Sequence, residues 1–162
     1  LRWGAARADV SPDEIAMAAL LSEIGELLLW SFAEELPLAA LEALHSGQSP
    51  RSLQAQVDTC GFRFKDLTLK CALIWNLPSL LTQLIRGIDN TRSNLSRLCV
   101  DTARHISSGP DDPALPADIA AAKKIIPGVS LEWLTEQLPG LDAEQIAAIA
   151  LKAADLVDPP HQ

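Results

Sequence analysis

The sequence contains no tyrosine, and its few Trp and Phe residues bring the aromatic share to only 4%. Strands draw on aromatic and β-branched side chains, so this scarcity, set against an abundance of Ala and Leu, argues against a sheet and for helices. Cysteine is also sparse. Cys60, Cys71 and Cys99 are odd in number and share no C-x-x-C pair, which excludes a disulfide framework or a cysteine zinc site and fits reduced thiols in a cytoplasmic protein. Of the three histidines, His45 and His105 stand near expected helix ends, where a cation suits the helix dipole, and His161 lies in the tail. None has a second His or Cys at ligand spacing, so none is read as catalytic. Basic charge is in deficit, 13 Lys and Arg against 21 Asp and Glu for a net charge of −8. A nucleic-acid surface needs the opposite balance, and no such partner is expected. No apolar run is read as long enough to cross a membrane, and no signal peptide is visible. The chain opens on Leu1 rather than Met, which predicts a fragment or a processed product.

What is present is enough to build a core. Hydrophobic residues make up 48% of the chain and charged residues 21%, in the range of ordinary packed domains. Ser11-Pro12-Asp13-Glu14 reads as a capping box with Pro at the first helical position. Ile15, Ala19, Leu20, Ile24, Leu27 and Leu28 follow near helical spacing, predicting one helix with a buried face. Gly25 inside it costs roughly 1 kcal/mol against Ala and needs a reason such as close backbone packing. Further helices are expected from Pro37 to His45, from Ser49-Pro50 to Gly61, and from Asp66 to Trp75 with Leu67, Cys71 and Ile74 on one side. After Pro78 the inward set is Leu81, Leu84, Ile85 and Ile88. From Thr91 to Ile106 it is Leu95, Leu98, Thr102 and Ile106. Residues 107–116, "SSGPDDPALP", read as a linker. Ser130 then caps "LEWLTEQL", and Asp142 with Gln145 forms a second capping box.

Three stretches carry a resemblance. The first is "ALLSEIGELLL". The second is "CGFRFKDLTLKCALIWNLP", with Gly61, Trp75, Leu77 and Pro78 as its markers. The third is "LLTQLIRGIDNTRSNLSRLCVDTARHISSG". Together they resemble the HDOD family, the HD-related output domains of bacterial signalling proteins. That family typically reads Leu-Leu-His-Asp-Ile-Gly in the first stretch, a His three residues after the Gly in the second, and His-His followed later by Ala-Asp in the third. Here those positions hold Ser22-Glu23, Phe64, Ile88-Asp89 and Val100-Asp101. The resemblance spans residues 1 to 109 and implies the C-terminal portion of an HD-like bundle whose first helices would lie upstream of Leu1.

A metal-dependent phosphohydrolase needs imidazole nitrogens and carboxylates converging on a divalent ion that acidifies a bound water. Ser22 keeps its proton at neutral pH, Glu23 is a methylene longer than Asp, and Phe64 and Ile88 cannot ligate. Glu23, Asp89 and Asp101 leave only oxygen donors. The six vestigial positions therefore predict no metal, no cofactor and no catalysis. Glu23 and Glu26 are expected to be solvated or ion-paired on the exposed side of the first helix, with a vestigial polar pocket as the sharper reading. Asp101 stands four residues after Arg97 and three before Arg104, spacing that makes intrahelical ion pairs. An anion site using Arg86, Arg92, Arg97 and Arg104 is the alternative.

The expectation is thus an all-α protein: an HD-like bundle over 1–109, a Pro-rich linker over 110–116 and a helical extension over 117–158. Its function is expected to be non-catalytic signalling through protein partners, in the cytoplasm and away from membranes. The alternative is a sensor of a nucleotide or cyclic dinucleotide built on the region from Arg86 to Arg104. Absent upstream helices would uncover apolar surface, which predicts either a homo-oligomer with Trp3 and Trp30 at the contact or docking of the C-terminal helices onto the vacant face. Trp75 and Trp133 are read as core or contact anchors.

Overall fold

Helix-forming composition is matched by the backbone. A computed structural model describes residues 2–88 and 90–158, and every regular element among them is helical. A short 3-10 helix, Arg2–Ala6, precedes α1 (Pro12–Leu21), α2 (Ile24–Phe32), α3 (Glu35–His45), α4 (Ser52–Cys60) and α5 (Phe64–Ile74). Then come α6 (Ser79–Arg86), α7 (Thr91–Ser108), α8 (Leu115–Ile125), α9 (Leu131–Glu136) and α10 (Ala143–Val157). Asp89 and His161 lie outside the described residues.

Local chemistry sets most of the ends. At α10 the capping box is reciprocal: Asp142 Oδ1 accepts the Gln145 N–H at 2.8 Å, and Gln145 Oε1 accepts the Asp142 N–H at 3.0 Å. Ser130 Oγ accepts the Trp133 N–H at 3.1 Å to start α9. The Trp75-to-Pro78 closure of α5 is a Schellman stop. Asn76 takes φ 53°, and the Leu77 N–H reaches back to the Ala72 carbonyl at 2.9 Å. Two expected boundaries move. Ser49 does not open α4, because its hydroxyl donates to Asp58 Oδ2 at 2.8 Å, and the helix begins at Ser52. The long first helix divides at Ser22–Glu23, where Glu23 has φ −103° and ψ 11°. Taken together, Pro12–Phe32 spans 21 residues and contains an 18-residue window of mean hydropathy 1.6, which by length and composition does reach the range for crossing a membrane. The turn at Ser22–Glu23 divides that run into α1 and α2.

The chain divides into two compact units: Leu1–Ala19 with Asp89–Gln162, and Leu20–Ile88. In the first, the N-terminal segment is bound to the C-terminal helices. Trp3 has no accessible surface, and its indole N–H donates to the Leu134 carbonyl at 3.0 Å. Trp3 is therefore a core residue and not the exposed contact expected, because α9 closes over it. Arg7 donates to the Ile125 carbonyl at the end of α8 and pairs with Asp9 at 2.6 Å. Leu95, Leu115, Ile119, Ile126 and Leu134 complete this core. Of the expected linker, 110–114 forms turns, while Leu115 and Pro116 are already buried residues of α8.

In the second unit α2 packs on α3 and α5, α3 on α4, and α5 on α6. Leu29, Ala40, Ala43, Ala55 and Phe64 form its central cluster, and Leu80 and Leu81 are buried on α6. Four side chains expected inside are outside: Leu20 and Leu27 of the first predicted helix, Ile74, which is 70% exposed, and Ile88. Ile74 ends α5 beyond the turn that Cys71 and Ala72 bury, and Ile88 follows the left-handed Gly87 that terminates α6.

Candidate functional site

The vestigial positions are best built outward from Gly25, the second residue of α2. A Cβ placed there would lie 2.6 Å from the Phe64 carbonyl oxygen, 2.6 Å from Thr68 Oγ1 and 2.7 Å from the Thr68 nitrogen. No side chain fits, so the expected reason for this glycine, close backbone packing, is what the structure displays. The Gly25 N–H, an orphan donor of the first turn, gives its hydrogen to Thr68 Oγ1 at 3.0 Å. Thr68 Oγ1 in turn donates to the Phe64 carbonyl at 3.4 Å. The Ile-Gly of the first motif thus brings the start of α2 against the first turn of α5.

Ser22–Glu23 directly precede α2, two to three residues before this contact. The chemistry at the contact is not that of a ligand set. The Phe64 ring is buried, 7% exposed, in the cluster with Leu29, Ala40, Ala43 and Ala55. Its centroid lies 6.5 Å from that of Phe62. The Phe64 N–H is satisfied by Gln56 Oε1 at 3.0 Å. Ser22 and Glu23 are half-buried at the break between helices, and Glu26 is half-buried with its carboxylate accepting the Trp30 indole N–H at 3.4 Å. Ile88 is exposed beyond the end of α6, Asp89 is outside the described residues, and Asp101 belongs to α7 of the other unit. Among the described residues no group of three or more His, Cys, Asp or Glu side chains is placed to hold a metal ion.

The arginines divide between the units. Arg86 ends α6, whereas Arg92, Arg97 and Arg104 lie along α7. Arg92 reaches Glu14 at 3.5 Å, Arg97 donates to Asn94 Oδ1 at 2.9 Å, and Arg104 approaches Asp101 at 3.7 Å. The Asp101–Arg104 spacing gives the expected pair, while Arg97 turns to Asn94. Cys99 on the same helix is held by burial in its thiol form, with its pKa pushed up to about 11, so it is a poor nucleophile.

Three contributors escaped sequence reading: Thr68, Gln56 and Asp118. Thr68 and Gln56 are polar residues on otherwise apolar faces and could have been sought as partners for the buried backbone near Gly25. Asp118 approaches His105 Nδ1 at 2.6 Å, a pairing with no local spacing to reveal it.

Comparison with known proteins returns one family. The profile described as the HDOD domain matches residues 3–91. The match ends at the first residue of α7, so Asp101 and the helices beyond it fall outside it. No curated protein and no solved structure matches the chain.

Proposed function

The chain belongs to the HDOD family, a signalling-associated domain, and on that premise we propose that it is a non-catalytic module that works by binding a protein partner. One observation carries the reading: at the positions where a hydrolase would present ligands, Phe64 is packed into the apolar cluster and Ser22–Glu23 mark a helix break. Phe64 cannot ligate a metal and Ser22 is a poor ligand at neutral pH, which supports a module without a metal-activated water. The second unit also keeps apolar side chains in solvent. On α2 these are Leu27, Trp30 and Phe32, and at the end of α5 they are Leu73, Ile74 and Trp75. Exposed apolar groups of this size, aromatic ones above all, are the material of interface anchors. The ligand-sensing alternative rests on arginines of α7 that already have partners in Glu14, Asn94 and Asp101, and no observation favours it.

The test is affinity capture from cell extract with the chain as bait, run beside a Trp30→Asp variant. A protein retained by the first and lost by the second is the expected result. Identical recovery by both baits, or manganese-dependent phosphohydrolysis above buffer, overturns the proposal.

A further inference from the structure

We propose that His105 and Asp118 form a proton-operated latch that fastens α8 to the C-terminal end of α7. His105 lies in the last turn of α7 and Asp118 in the first turn of α8, on either side of the turns at 110–114. His105 Nδ1 stands 2.6 Å from Asp118 Oδ2. Asp118 is 8% exposed, and a carboxylate so far from water needs a partner that is charged or donates a strong hydrogen bond. Among the described residues His105 is the side chain that supplies it. The helix ends add to the same preference, because a cation suits the end of α7 and an anion the start of α8.

The groups facing the imidazole agree in sign. Asp118 on α8 raises the pKa of His105 most, through the hydrogen bond; burial opposes it to a lesser degree, and the charges of Asp118, of Asp112 in the intervening turn and of Asp101 on α7 add smaller increases. Arg104, the neighbouring cation, is directed to Asp101. A histidine whose folded pKa is raised contributes stability that is fully present below its ordinary value of about 6.5 and is lost as pH rises through the folded value. Mild acid therefore tightens the α7–α8 junction, and mild alkali loosens it. The neutral ring keeps one N–H to donate, so the latch weakens without disappearing.

Nuclear magnetic resonance on the full chain tests this. The His105 side chain is titrated in wild type and in Asp118→Asn, and amide exchange in α8, corrected for intrinsic rates and referred to α3, is followed over the same range. The expected results are a lower His105 midpoint in Asp118→Asn and a severalfold loss of α8 protection as pH rises in wild type. His105→Asn, which retains a donor at the same place but cannot take up the proton, should flatten that dependence. An unchanged His105 midpoint in Asp118→Asn overturns the latch. So does a His105→Asn chain whose α8 protection still falls with pH as wild type does.

Discussion

The first unit encloses its large side chains, whereas the second leaves many of its own in water. Trp3, Leu95, Leu115, Ile119, Ile126 and Leu134 are fully buried in the first, where only Met17, Leu151 and Leu156 stand out among the large apolar groups described. In the second, Leu81 is the large aliphatic side chain that is fully buried. Leu20, Leu27, Trp30, Phe32, Leu73, Ile74 and Trp75 are all exposed, Phe32 by 83%. Composition shares in the difference, since the second unit has 17 Leu and 6 Ala in 69 residues and the first has 10 Leu and 18 Ala in 93. The first unit uses an N-terminal segment and three C-terminal helices to close over one core. The second binds its helices by backbone approach and small residues, with Ala40, Ala43 and Ala55 around Phe64. One unit encloses its large apolar side chains, and the other leaves several of its own accessible.

The largest effect expected from breaking this contrast is in the first unit. Trp3→Ala removes a fully enclosed indole and leaves the Leu134 carbonyl without its donor, which should cost about 3–5 kcal/mol. Urea unfolding measures it, and a loss below about 1 kcal/mol would mean that Trp3 does not close that core. Next is Gly25→Ala. Helix propensity alone would stabilise by roughly 1 kcal/mol. The methyl group would meet backbone of α5 on contact, and overpacking of this kind costs about 1–3 kcal/mol. A net destabilisation is expected, and a stabilised variant would show that α2 and α5 are less closely joined. The smallest effect on stability belongs to the exposed face. Phe32→Asp with Ile74→Asp should change unfolding free energy by only about 0.5 kcal/mol, yet lower hydrophobic-dye binding and concentration-dependent association. A wild-type chain that binds no dye and scatters as a monomer at every dilution would remove the distinction between the units.

Much of this was visible in the residues. Capping at Ser130 and Asp142 and the stop at Gly61 are local, each depending on chemistry within a few positions, while Gly25 announced close packing by its type without naming Thr68 as the neighbour. The loss of the His-Asp pair was equally plain, because Phe64 and Ser22 declare themselves by type. What failed was non-local. Helical spacing marks an apolar face but not whether another helix covers it, so Ile74 and Ile88 were placed inside. Trp3 was read as surface because nothing near it announces α9, more than a hundred residues away. His105 was seen as a helix-end cation, while its partner Asp118 became adjacent only through the turn between α7 and α8.

The distribution of tryptophan has an optical consequence. With no tyrosine in the chain, near-ultraviolet emission belongs almost entirely to indole. Trp3 is sealed within the first unit, whereas Trp30 and Trp75 face solvent in the second. Excited at long wavelength, Trp3 should emit to the blue and ignore iodide, Trp30 and Trp75 should emit to the red and be quenched, and half-buried Trp133 of the first unit should fall between. The blue, iodide-resistant part of the emission then follows the closed core of the first unit in an unlabelled sample.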